Sequence, residues 1–243
     1  MKFPKVVLFD MDNTLIDHET ASDAALIHVR SLFPELQKYD LASLKQQWRL
    51  DFDKYWLEVI KGGMTLEESY QWRFQRVLST AGRKIEPGDL EKASVYYRDR
   101  YLSGVTAMPG SLEVVRMLKE QGIKVGVITN NTERMQSTKL DGCGFSDYLD
   151  YVITSESCGI LKPDREIFLL ALGNLGASPD ESVMVGDSYN YDILGAINSG
   201  IHAVWFNRNG EMAAVEDSKV KILSSFNPAQ HAFDVITRGN SGV

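Results

Sequence analysis

The chain has 243 residues, 44% of them hydrophobic and 24% charged, with a formal net charge of −7. That length holds one large domain or two modest ones around a real core, and the composition is ordinary for a globular protein, so disorder is not the default reading. Residues 17–106 carry 13 Lys+Arg against 14 Asp+Glu, a net of −1, and the remainder carries −6, so neither part has the basic excess that polymeric nucleic acid demands.

The chain opens on a buried strand. Residues 5–9 are a short β-branched and aromatic run that ends in Asp10-Met11-Asp12-Asn13-Thr14, the continuous apolar look of a parallel strand. Val6-Val7-Leu8-Phe9 is too short for a signal-peptide core. From about residue 16 to 104 no strand is apparent and the texture is helical, roughly four helices by usual lengths. Trp48, Phe52, Tyr55 and Trp56 recur at helical spacing, Gly62-Gly63 breaks that helix, and Thr65 to Glu68 matches a capping box. Gly82 and Pro87-Gly88 supply a further stop and start.

After Pro109, helix and strand alternate. Leu112, Val115 and Leu118 form an apolar face that stops at Gly122, and residues 123–129 read as a strand. Residues 134–140 are helical and 151–154 extended; Ile167, Leu170, Ala171 and Leu175 form a helical stripe closed by Gly176. Residues 182–185 make a strand ending in Gly186-Asp187, Ile193, Ala196 and Ile197 lie on a helix ending at Gly200, and 203–206 make a strand. Such alternation predicts a three-layer α/β core, a parallel sheet with helices on both faces. A connection as long as 17–104 between the first strand and the rest is a domain in its own right. The expected division is therefore an α/β core of 1–16 and 105–243 with a helical domain of 17–104 inserted after the first strand. The longest apolar run, 167–172, cannot span a membrane, and Cys143 and Cys158 form neither a CxxC pair nor a zinc-type cluster, reading as reduced thiols of a cytoplasmic protein.

Sheets of this kind place their sites at the carboxyl ends of the strands. There stand Asp10 and Asp12, Thr129 and Asn130, Lys162 in the loop after the third strand, and Asp187 with Asp192 behind it. Carboxylates crowded together raise each other's pKa unless a cation sits among them, and oxygen ligands without His or Cys suit Mg2+. An uncoordinated carboxylate oxygen can attack phosphorus, a second carboxyl two residues on can protonate a leaving oxygen, and a hydroxyl and a lysine can hold phosphate charge.

In their order these motifs resemble the haloacid dehalogenase superfamily of phosphohydrolases. Asp10-Met11-Asp12-Asn13-Thr14, Thr129-Asn130, Lys162-Pro163 and Gly186-Asp187-Ser188 with Asp192 correspond to its four motifs, and the helical insert resembles the cap of its first subclass. The resemblance implies a Rossmann-like core and a Mg2+-dependent phosphatase acting on a small phosphorylated metabolite, as a monomer or homodimer. It makes Asp10 the nucleophile and a metal ligand, and Asp12 the general acid/base that offers its carbonyl to Mg2+. Thr129, Lys162 and the Asn130 backbone hold the phosphoryl group, Asp187 ligates the metal, and Asp192 supports the metal shell. Members that dehalogenate lack an acid at the position of Asp12. The texture around Gly62-Gly63-Met64-Thr65 resembles pyrimidine 5′-nucleotidases and sugar-phosphate phosphatases. A phosphomutase of the same superfamily is the nearest alternative, but such proteins usually carry a hinge histidine where this chain has Ser22. A phospho-acceptor or ligand-sensing protein is the alternative outside enzymes, although receiver domains lack an inserted cap.

Within the insert, the aromatic stripe reads as the helical domain's own core. Trp72, Arg73 and Arg76 read as a solvated edge, with substrate contact by Met64, Arg73 or Arg76 left open. His18 reads as an exposed hinge histidine.

Overall fold

The computed structural model describes residues 3–212 and 219–238. Its central strand is β1 (Val6–Phe9), buried along its whole length. The other strands are β2 (Lys124–Thr129), β3 (Tyr151–Thr154), β4 (Ser182–Gly186), β5 (His202–Phe206) and β6 (Val220–Leu223). All pair in parallel, in the order β3-β2-β1-β4-β5-β6. The order reverses direction between β1 and β4, which opens a crevice above their carboxyl ends. Register brings the strand ends level there: Phe9 lies beside Val127 on one side and Val185 on the other.

Alternation along β1 divides its side chains between two layers. Val6 and Leu8 pack with α8 (Arg165–Leu175) and α9 (Leu194–Asn198), among Phe168, Leu172, Ala196 and Trp205. On the opposite face Phe9 meets the Phe226 ring, where α5 (Ser111–Glu120) and α10 (Ala229–Thr237) lie against each other. The remaining helices of this unit are α6 (Glu133–Gly142) and the short α7 (Ser155–Cys158).

The sheet has one strand more than the five read from the sequence. In β6, Val-Lys-Ile-Leu is short and interrupted by charge, and as an edge strand it leaves Ile222 exposed. An edge strand needs no continuous apolar run, so its pattern is weak. The helix expected around Ile193 begins instead as a π-turn, Tyr189–Ile193, before α9.

The chain divides into two compact units, one of Met1–Asp17 with Thr106–Val243 and one of His18–Val105. At the division the two connecting segments are tied together: Asp17 N donates to Thr106 O at 3.0 Å, Met108 N donates to Leu15 O at 2.8 Å, and Ile16 bridges Ala107.

The second unit holds α1 (His18–Leu32), α2 (Leu41–Ile60), α3 (Leu66–Thr80) and α4 (Asp89–Gly104). α3 begins with a true capping box: Glu68 N donates to Thr65 Oγ1 at 3.1 Å, and Thr65 N donates back to the Glu68 carboxylate at 2.7 Å. Of the aromatic stripe only Trp48 is wholly buried; Phe52 and Trp56 stack half-buried with centroids 5.0 Å apart. Arg73 is not on a solvated edge. It is buried, its guanidinium lies 3.5 Å from the Trp48 ring centroid, and it donates to Trp48 O at 2.9 Å. Its charge is met by an aromatic face and a carbonyl, so the usual bar to burying arginine is lifted. Arg76 stays half-exposed beside Asp51, while Trp72 is exposed against Tyr55. His18 is half-buried instead of exposed, because its Nδ1 sits 2.7 Å from the Tyr101 hydroxyl. Ser22 is buried on the Tyr97 hydroxyl at 2.7 Å. No helix among the described residues is long and apolar enough to cross a membrane. Both cysteines are free thiols.

Candidate active site

The end of β1 delivers Asp10 into the crevice, and its backbone N continues the ladder by donating to Val185 O at 2.9 Å. Lys162 reaches it from the loop after β3. The Lys162 ammonium is buried and has three protein acceptors: Asp10 Oδ1 at 2.6 Å, Asp192 Oδ1 at 2.7 Å and Ile128 O at 2.8 Å. Asn130 fixes the lysine's backbone rather than its head group. Its Oδ1 accepts from Lys162 N at 2.8 Å and its Nδ2 donates to Lys162 O at 3.0 Å, next to the cis Lys162-Pro163 peptide.

Asp187 and Asp192 come from the far side of the switch point, just past β4. Asp192 is buried, and its Oδ2 accepts from Ser188 N at 3.0 Å. Gly186 permits this fold-back: a Cβ at that position would run into the Asp192 carboxylate. Asp187 is held by its backbone, with its N donating to Thr14 Oγ1 at 3.0 Å and its carbonyl accepting from Trp205 Nε1 at 2.9 Å. Asp10, Asp187 and Asp192 each present an oxygen, and these oxygens all lie within 4.8 Å of one another.

That crowding is visible in the acidities. Burial pushes the Asp10 carboxyl up to about 7 from its ordinary 3.8; Lys162 pulls against this, and Asp192 and Asp12 add to it. Burial, then Asp10 and Asp192, raise Asp187 well above the carboxylate range. Burial opposes charge on Lys162, but Asp10 and Asp192 outweigh it and hold the ammonium above its usual range. One lysine therefore does not neutralise the cluster. Three converging carboxylates with a charge deficit and no thiol or imidazole fit a hard divalent cation.

Asp12 is set apart from this group. Its carboxylate turns toward α6, where Oδ1 pairs with Lys139 Nζ at 2.5 Å and Oδ2 accepts from Asn131 Nδ2 at 2.9 Å and Gln136 Nε2 at 3.0 Å. Gln136 Nε2 also donates to Thr129 Oγ1 at 2.7 Å. With that oxygen accepting, the Thr129 hydroxyl proton is available to a further acceptor. The structure thus gathers Asp10, Lys162, Asp187 and Asp192 into one cluster, and links Asp12 to Thr129 through Gln136.

Thr14, Asn131, Gln136 and Lys139 were missed by sequence reasoning. Gln136, Lys139 and Leu140 are the buried positions of α6. Their spacing is that of one helical face, but two of the three are polar and so read as solvated. Thr14 is the last residue of the first motif, and that membership was the available signal.

A family model described as haloacid dehalogenase-like hydrolase matches residues 4–200. The ribulose-1,5-bisphosphate 5-phosphatase of Halopiger xanaduensis is 31% identical over 234 residues, covering 95% of this chain and 95% of that protein. The pyrimidine 5′-nucleotidase YjjG of Escherichia coli is 30% identical over 204 residues, covering 83% of this chain and 85% of that one. The magnesium-bound crystal structure of the HAD-hydrolase YfnB from Bacillus subtilis superposes with a TM-score of 0.75 at 21% identity, covering 96% of this chain and 100% of that one, a likeness of fold. Strand order, the motifs at the four strand ends and a match running from residue 4 to 200 lead to one assignment: this chain belongs to the haloacid dehalogenase-like hydrolases.

Proposed function

We propose that the chain is a Mg2+-dependent phosphomonoesterase that passes the phosphoryl group of a small metabolite first to Asp10 and then to water. The observation that carries this reading is Asp10 seated between a buried lysine and two further carboxylates, with a second acid, Asp12, held separately two residues on. The oxygen-only donor set suits Mg2+. Asp10, Asp187 and the Asp12 carbonyl would hold the ion, with Asp192 supporting its shell. Bound there, it neutralises charge on the phosphate oxygens.

The protein groups then have distinct tasks. An Asp10 carboxylate oxygen attacks phosphorus, the bond to the leaving oxygen breaks, and Asp12, which enters the cycle carrying a proton, gives it to that oxygen and is left as the carboxylate. Water next attacks the phosphorylated Asp10 at phosphorus and yields its proton to Asp12. The bond from phosphorus to Asp10 breaks, inorganic phosphate leaves and Asp10 is restored. The Thr129 hydroxyl and the Asn130 backbone N–H hold phosphoryl oxygens. Lys162 is engaged by three protein acceptors, so it serves by orienting Asp10 and placing positive charge beside the reacting oxygens.

The substrate class we propose is a nucleoside monophosphate or a sugar phosphate, in keeping with relatives named for a ribulose bisphosphate and for pyrimidine 5′-nucleotides. The helical unit His18–Val105 is proposed as the cap that selects among such substrates. The setting is a cytoplasmic monomer or homodimer. Turnover of 4-nitrophenyl phosphate tests the reading. It should require Mg2+, stop with a chelator and disappear in Asp10→Asn. Full activity in chelated protein, or Asp10→Asn retaining more than about a hundredth of wild-type kcat, would overturn it. A panel of phosphorylated metabolites ranked by kcat/KM then identifies the substrate.

A further inference from the structure

Asp12 sits in a socket that the proposed chemistry does not by itself require. Asn131 Nδ2, Gln136 Nε2 and Lys139 Nζ donate to it from the end of β2 and from α6, 119 to 127 positions away in sequence. The Lys139 side chain is 1% exposed and Gln136 is fully buried. An ammonium is costly to bury unless a partner meets its charge, and Asp12 supplies a carboxylate to Lys139. Gln136 is equally committed. Both of its N–H groups are used, one on Asp12 and one on Thr129, while its Oε1 is buried with no hydrogen-bond partner. The orientation of this amide is therefore dictated by the two acceptors it serves and not by an acceptor of its own.

We propose that Lys139, with Gln136 and Asn131, is the positioning device of Asp12. The three donors fix the carboxylate in one orientation, keep it out of the Asp10–Asp187–Asp192 group, and through Gln136 tie it to the Thr129 hydroxyl. The kinetic consequence rests on the phosphatase reading; the contact itself does not. Lys139 is a positioning residue, so its effect passes through Asp12. Removing it matters most where the leaving oxygen needs a proton. An alkoxide needs one, and a nitrophenolate leaves without it.

Four proteins test this: wild type, Lys139→Met, Asp12→Asn and the double variant, assayed with Mg2+ on glycerol 2-phosphate and on 4-nitrophenyl phosphate. Lys139→Met should lose about 10- to 100-fold in kcat on the alkyl ester, a part of the ~10²–10⁴-fold that acid–base participation supplies, and under about threefold on the aryl ester. Its KM should change little. In the Asp12→Asn background the same substitution should cost nothing further. Equal losses on both esters, or an undiminished loss in the Asp12→Asn background, would overturn the proposal and leave Lys139 a structural residue. Thermal unfolding of the same set gives a readout independent of activity. Asp12→Asn strands a buried ammonium, so the double variant should melt above Asp12→Asn alone, and a lower melting point refutes the pairing. Should Lys139→Met not fold, Lys139→Gln, which also removes the ammonium, carries the same kinetic comparison. If wild type turns over neither ester while the double variant still melts higher, the phosphatase reading falls and the docking of Asp12 stands.

Discussion

Lys162→Met removes the one cation among the described residues within hydrogen-bond reach of Asp10 and Asp192, while nearly keeping side-chain length. In the wild-type protein the buried ammonium lies 2.6 Å from Asp10, 2.7 Å from Asp192 and 2.8 Å from the Ile128 carbonyl. Breaking a buried ion pair by removing one partner typically costs about 3–5 kcal/mol, because the other charge is left uncompensated. At roughly 2–4 °C per kcal/mol for a protein of this size, metal-free Lys162→Met should melt roughly 6–20 °C below wild type at pH 8. The pH dependence has a definite sign. Asp10 is raised in the folded protein from 3.8 to about 7, so its contribution to stability is complete below the unfolded value and is lost as pH rises through about 7. Lys162 is one of the groups opposing that rise, so without it Asp10 climbs further and the deficit widens between pH 6 and pH 8. Mg2+, the ion proposed for this site, should supply positive charge there and recover part of the loss at pH 8. Differential scanning calorimetry on chelated and Mg2+-loaded protein at both pH values measures all of this. A melting point within about 2 °C of wild type at pH 8 without metal, or a deficit equal at both pH values, would refute the assignment of Lys162 as counter-charge to this cluster.

Gly186→Ala places a methyl group in the volume of the Asp192 carboxylate and should cost about 1–3 kcal/mol with weakened Mg2+ binding; unchanged affinity by titration calorimetry would show that Asp192 does not support the metal. Mg2+ affinity should rise with pH up to about 7, since the ion displaces the proton that burial favours on Asp10, and a flat affinity between pH 5.5 and 8, values chosen on either side of about 7, contradicts this. In the helical unit Arg73→Ala should destabilise by about 2–4 kcal/mol, through lost packing on Trp48 and an orphaned carbonyl, whereas Arg98→Ala, whose pair with Glu67 is half-exposed on both sides, should cost under about 1 kcal/mol; equal costs in denaturant unfolding would refute the distinction.

Much of the chemistry was legible because it is written locally. An apolar run that ends abruptly in Asp10-Met11-Asp12, or in Gly186-Asp187, declares both a buried strand and what stands at its end. Alternating strand and helix then dictates a parallel sheet that sets such ends level. The long helical interruption announced the second unit in the same way, and the capping box at Thr65 was readable from two residues three apart. What stayed hidden was decided by partners distant in the chain. Lys139, Gln136 and Arg73 are polar residues on helices, and periodicity assigns such residues to solvent. They are buried because Asp12 pairs with Lys139 across 127 positions and because the Trp48 ring meets Arg73 across 25. A sequence pattern reports the average cost of burying a charge; only the tertiary structure brings up the specific counter-charge or aromatic face that removes that cost. The same holds for β6, whose edge position supplies the pairing that its four residues do not advertise, and for the separation of the two acids of the first motif. Asp10 and Asp12 stand two residues apart in sequence, yet one is turned to Lys162 and the other to Lys139, because the chain bends at the end of β1 and each carboxylate meets a different buried ammonium.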